Sequence, residues 1–300
     1  MGTINRDSKG MLYGFLGVLA FSFTLPLTRM AVEWINPTLV GLGRALVAAV
    51  LAGILLYVKR ERLHSWSQVR SLLIVALGVV VGFPLLTSWA MNQLPAIHGA
   101  LVIALLPLAT AGAAVFRAGE NPSMRFWAAS VTGSLIVLAY AWYAGMGSLQ
   151  WADLALVGAV LLAAIGYAEG GRLAADMGSW QVISWALVIA APFLLIPVGL
   201  TFSEEIIHAP LSAWLAFGYV SIISQFVGFL WWYGGMALAG VARVSQIQYL
   251  QPFFSILWAA LLLNEALTPA AVSAALLIVL VVAKGRKTSI KRNAQQVMEK

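Results

Sequence analysis

Long apolar runs separated by short polar breaks fill this chain at 10–28, 37–58, 68–91, 95–117, 124–143, 152–174, 180–200, 211–237, 241–263 and 269–284. A helix needs about 20 mostly apolar residues to cross the hydrocarbon core of a bilayer, and most of these runs are close to that length. Lipid offers no partner for backbone polar groups, so such runs satisfy them internally as helices. Asn36-Pro37, Asn121-Pro122 and Gly145-Met146-Gly147 punctuate the pattern as turns. The expectation is an all-α integral membrane protein with ten transmembrane helices. The first run has the look of a signal-peptide core, but it continues to Pro26 without a small-x-small cleavage pattern, which predicts a retained first helix.

Composition agrees with the pattern. The 300 residues are 61% hydrophobic and 10% charged, with a mean hydropathy of +0.90, whereas a soluble domain carries about 25% charged residues. A water-soluble fold is excluded. The net charge of +7 would suit nucleic acid, but the basic residues are spread over short loops and the C-terminal tail. That distribution marks membrane orientation instead. Of the 18 Lys and Arg, all but Arg29 and Arg44 fall on one side when the N-terminus is placed inside. Both termini are therefore expected in the cytoplasm, with the chain in a plasma membrane, that of a bacterial inner membrane fitting best. Loops on the other side, such as Ser203-Glu204-Glu205, are acidic.

Shifting the chain by 145 residues superposes Met91 on Met236, Pro107 on Pro252 and Glu120 on Glu265. In each half the proline precedes the glutamate by 13 residues, and the glutamate follows the fourth apolar run. This predicts two five-helix repeats, 1–145 and 146–290, followed by a basic tail, 291–300. Five is odd, so the second repeat is inverted relative to the first. Inverted repeats are a common transporter architecture, with the substrate near the bilayer midplane at the repeat interface.

The stretch Tyr249-Leu250-Gln251-Pro252-Phe253-Phe254, continued by Leu261-Leu262-Leu263-Asn264-Glu265-Ala266-Leu267-Thr268, resembles the second repeat of the drug/metabolite transporter superfamily, EamA type. Leu106-Pro107 through Gly119-Glu120 resembles its first-repeat counterpart, and Arg44 matches an arginine of the family's second helix. Asn264 stands where the family often has glycine, and Ser273-Ala274 replaces a common glycine of the last helix. The resemblance implies a ten-helix bundle whose central cavity is lined by helices 3, 4, 8 and 9 with parts of 1 and 6. It implies movement of metabolites or amino acids, commonly outward, and the aromatic amino-acid exporter branch is similar in length and layout.

Polar residues within the apolar runs are the candidate site. Ser245, Gln248, Gln251 and Ser255 recur at intervals of three, three and four, one stripe on a helix. Buried amides need partners, so the stripe is either a substrate-binding wall or interhelical hydrogen bonding. Pro252 is expected to free the carbonyl of Gln248. Gln225 and Trp232 share a stripe with Ser221 and Gly228, while Phe83, Trp89, Tyr167 and Tyr249 could stack on an apolar ligand. His98 opens the fourth run as a gate or a cap. Arg44, about 10 Å deep, is read as structural or gating, with anion binding the alternative. Pro107, Pro252, Glu120 and Glu265 are read as structural, with proton carriage the alternative for the glutamates. Glu169 and Arg172 are spaced for a solvated salt bridge. The spacings Gly10/Gly14, Gly78/Gly82 and Gly166/Gly170 suit close helix packing.

Competing classes find little support in the residues. An intramembrane enzyme needs a nucleophile with its base or a metal set, but cysteine is absent and the 3 histidines, His64, His98 and His208, lie far apart. No channel-filter segment is present. The expectation is a transporter, not an enzyme, with an uptake carrier as the alternative direction. It needs no cofactor or metal, and its partners are a small-molecule substrate and the lipid bilayer. A monomer suffices for this. Apart from Glu169, no carboxylate falls inside an apolar core, which predicts flux only weakly dependent on protons.

Overall fold

The computed structural model describes residues 5–63, 65–143, 150–270, 272–274, 276, 277, 280 and 290–292. His64, the Gly145-Met146-Gly147 turn and most of the tail lie outside the described residues. Among the described residues eight helices are long and apolar enough to span a bilayer: α1 Arg6–Val32, α2 Leu39–Lys59, α3 Trp66–Met91, α4 Ala96–Ala118, α6 Trp151–Met177, α7 Ser179–Leu200, α8 Leu211–Ala239 and α9 Val241–Leu263. The 20-residue helix Met124–Tyr143 is α5. The described residues of 269–280 are helical and form α10. The architecture is the all-helical, ten-helix membrane fold expected from the hydropathy pattern. Beyond it, Glu120–Pro122 (β1) pairs antiparallel with Ile290–Arg292 (β2), in register Asn121 to Lys291.

The buried interior is mainly apolar, but polar side chains are buried within it and large apolar side chains face outward. Among the described residues twenty-two polar or charged side chains, including Arg44, Gln225 and Glu169, are buried, while Ile54, Phe193 and Leu215 are exposed. Trp34, Trp66, Trp142 and Trp151 stand exposed at or beside helix ends, where an amphipathic ring suits the interface.

Small residues bring the helices together. A Cβ on Gly78 of α3 would lie 2.5 Å from the carbonyl oxygen of Leu162 and 2.9 Å from the Cα of Gly166 on α6. One on Gly10 of α1 would lie 2.7 Å from the Cβ of Ala239 on α8. These contacts leave backbone against backbone, with no room for a side chain.

The helices are not regular, and their irregularities repeat. α3 widens into a π-helical stretch over Ala76–Gly82 and α8 over Val220–Val227, positions related by the 145-residue offset. A third π-helical stretch, Leu39–Gly43, opens α2 immediately before Arg44. π-Helical turns are rare and concentrate at functional sites. α4 and α9 both break just before their prolines, between Ile103 and Leu106 in one and through the 3₁₀ turn Gln246–Leu250 in the other. Each then ends on a left-handed residue, Gly119 (φ 62°) and Asn264 (φ 56°). Asparagine is the non-glycine residue that tolerates this conformation best, so its replacement of glycine leaves the cap intact.

Two reciprocal contacts express the pseudo-symmetry. Glu120, after α4, accepts hydrogen bonds from the backbone N–H groups of Val241 and Ala242, both at 2.8 Å, and so caps the start of α9. Glu265, after α9, accepts them from Ala96 and Ile97 at 2.9 and 3.0 Å and caps the start of α4. Each repeat thus supplies the carboxylate for the positive end of the other's helix dipole.

Candidate functional site

Prolines leave backbone carbonyls without helical donors, and side chains from the opposite half take them up. Phe83 donates its N–H to Gly78, five residues back. The next donor in that π register would be residue 84, a proline without N–H. The carbonyl of Val79 is therefore open, and Nε2 of Gln225 donates to it at 3.0 Å. Likewise Pro26 cannot donate to Ser22 within α1, and Ser255 Oγ donates to that carbonyl at 2.7 Å. A nearly complete pairing of buried backbone groups is the general rule; here it ties the two halves together.

These ties surround a central cavity. Its polar wall is Thr24, Arg44, Tyr167, Ser224, Gln225 and Gln251, and its apolar wall Phe21, Val79, Phe83 and Phe229. The space between them is about 10 Å³, room for about one water. A metabolite fits this space only if its walls move apart. The lining comes from α1, α2, α3, α6, α8 and α9. It includes α2 and omits α4, unlike the family expectation.

Arg44 dominates the site chemically. It is 1% exposed. Its Nη2 donates to Ser224 Oγ at 3.1 Å, and Ser224 Oγ lies 2.7 Å from Thr24 Oγ1. Its Nε and Nη1 have no partner among the described residues. The amide oxygens of Gln225 and Gln251 are similarly unpartnered. Next to this polar face Phe21, Tyr167, Phe229 and Trp232 form one aromatic cluster, with Tyr167 and Trp232 centroids 5.4 Å apart.

The residues singled out from the sequence divide. Gln225, Gln251, Phe83 and Tyr167 line the cavity. Gln248 is buried with both amide atoms unpartnered among the described residues, and Trp232 is buried within the aromatic cluster without lining the cavity itself. Four others turn elsewhere. Ser245 Oγ bonds the carbonyl of Ala242 in its own helix, and Tyr249 donates to Ser130 of α5. Trp89, 45% exposed, donates to Thr38 at a helix end. His98 lies 2.5 Å from Asp153 in the first turn of α6. The carbonyl of Gln248 is not free either, because the 3₁₀ turn lets the Gln251 N–H donate to it. Spacing alone missed Phe21, Thr24, Val79, Ser224 and Phe229. Ser224 carries a weak signal, a serine next to Gln225 in an apolar span.

The Glu169–Arg172 ion pair also differs from expectation. Glu169 is 1% exposed, and it pairs with Arg117 of α4 at 2.8 Å as well as with Arg172 at 2.6 Å. Arg172 further donates to Ser71 of α3. The bridge is a clamp across three helices, with a buried carboxylate and two partly exposed arginines, in place of a fully solvated pair. Glu120 and Asp153 are further buried carboxylates, each at a span end.

Comparison with known proteins agrees with this architecture. The profile of the EamA-like transporter family matches the chain twice, at residues 8–144 and 150–283. The chain is 42% identical over 285 residues to the uncharacterized transporter YdeK of Bacillus subtilis (strain 168), covering 95% of this chain and 99% of that one. A crystal structure of another protein superposes with a TM-score of 0.76 at 19% identity, over 95% of this chain and 99% of that chain, and so shares the fold. Two matches to one profile and a relative aligned over nearly its whole length assign the chain to the EamA-like transporter family, as a multi-pass membrane transporter and not an enzyme.

Proposed function

We propose that the chain exports small metabolites from the cytoplasm, amino acids including aromatic ones, by alternating access of the central cavity. The observation that carries this is the composition of the cavity wall. Aromatic rings on one side and unpartnered amide oxygens on the other fit a ligand with one apolar and one polar end. Similarity to the aromatic amino-acid exporter branch in length and layout points the same way. Radiolabelled L-phenylalanine and L-tryptophan loaded into proteoliposomes provide the test. Gln225→Leu and Gln251→Leu are expected to lower the flux at least tenfold, with Gln248→Leu close behind and expression unchanged. Wild-type flux in all three would make these amides mere interhelical contacts.

The proposed orientation places both termini in the cytoplasm and the chain in the plasma membrane, from the distribution of Lys and Arg. Reporter fusions at Lys59 and Lys300 are expected to read inside, and one at Gly147 outside. An outside signal at Lys300 would overturn the orientation.

A further inference from the structure

We propose that Arg44 is the anion-binding group of the cavity, so that the substrate must present a carboxylate or equivalent anionic head to be held there. This rests on the transport reading above and narrows its substrate class. The guanidinium is buried inside the bundle, and none of the described ion pairs includes it. Among the described residues its single hydrogen bond, to Ser224, uses one of its five N–H groups. Nε and Nη1 are left unpartnered on a side chain that lines the cavity. A residue kept for structure alone would have these donors satisfied by the surrounding protein, as Glu169 satisfies Arg172 and Arg117. A buried cation without a counter-charge is costly, and the cost falls when an anion arrives.

The rest of the wall suits the remainder of such a ligand. Gln225 is fixed in orientation by its donation to Val79, which leaves its amide oxygen as an acceptor. A donor beside the carboxylate can be received there. Phe21, Phe83 and Phe229 offer the apolar body its surface. Arginine is the side chain best matched to a carboxylate, because its planar fork offers two parallel bonds.

The test is ligand-dependent thermal unfolding of the full chain in detergent. The probes are L-phenylalanine and 3-phenylpropionate, which carry the carboxylate, and L-phenylalaninamide and phenethylamine, which do not. Both carboxylates are expected to raise Tm saturably and both controls to leave it unchanged. Arg44→Met is expected to lose the response while melting at or above the ligand-free wild type, because it removes an unpaired buried charge. Arg44→Lys retains the charge without the fork and is expected to respond with affinity at least tenfold weaker. Protection by the amines, absence of protection by either carboxylate, undiminished protection in Arg44→Met, or an Arg44→Met protein that melts far below wild type would each overturn the assignment. Proteoliposome flux of the same probes separates the two readings. If phenethylamine crosses in a chain-dependent manner and the carboxylates do not, transport stands and the anion site falls. If the carboxylates protect through Arg44 and none of the four crosses, the anion site stands and the proposed cargo falls.

Discussion

Glu120→Ala is expected to lower the unfolding free energy by about 2–6 kcal/mol, since it strands two buried N–H groups at about 1–3 kcal/mol each. The two donors, on Val241 and Ala242, are at the positive end of a helix dipole and are bonded only through this carboxylate in the cap described. Glu265→Ala is expected to cost less, because its bonds to Ala96 and Ile97 are only partly buried. Glu120→Gln keeps one carbonyl oxygen as an acceptor and is expected to fall between alanine and wild type. Thermal unfolding in detergent ranks the three variants. Wild-type stability of Glu120→Ala would remove the capping account. The glutamine variant also tests proton carriage, the other role open to this residue. If it folds but loses a pH-driven flux, Glu120 carries protons in addition to closing the helix end.

Glu169→Gln is expected to destabilise the protein by about 1–3 kcal/mol. Breaking a fully buried pair costs more, about 3–5 kcal/mol, but here the arginine side chains are 39% and 34% exposed and water can take up part of their charge. The loss reaches three helices, since Arg117 lies on α4, Glu169 and Arg172 on α6, and Ser71 on α3. Because Glu169 is held between two cations instead of facing the cavity, flux in proteoliposomes is expected to respond equally weakly to an imposed pH gradient in wild type and variant. Asp153→Asn, which loosens the pairing with His98, serves as the second carboxylate control. Strong acceleration by the gradient that disappears in either variant would replace a facilitator with a proton-coupled carrier.

Much of the fold is a local property and was readable from residues alone. The bilayer imposes one length and one polarity on every spanning segment, so hydropathy placed Met124–Tyr143 and Val241–Leu263 to the residue and the other helices among α1–α9 to within a few. The 145-residue offset likewise exposed the paired prolines and glutamates, because both repeats must make the same helix break and the same left-handed end. Tertiary structure decided what those residues touch. A period of 3.6 assigns a face only while the helix is regular, and Ser245, Gln248 and Gln251 straddle a 3₁₀ turn that rotates Gln251 to the cavity while Ser245 bonds its own backbone. The π-helical stretches of α2, α3 and α8 shift the face again, and they set Arg44, Val79, Ser224 and Gln225 around one space. Residues 44 and 224 are 180 positions apart, and Glu120 caps a helix of the opposite repeat. No local pattern encodes which half supplies a partner. Sequence determined the spans, the repeat and the list of polar intruders in the membrane; packing between the halves determined that Arg44 faces the cavity without a counter-charge, because only the assembled bundle shows which buried donors remain unpaired.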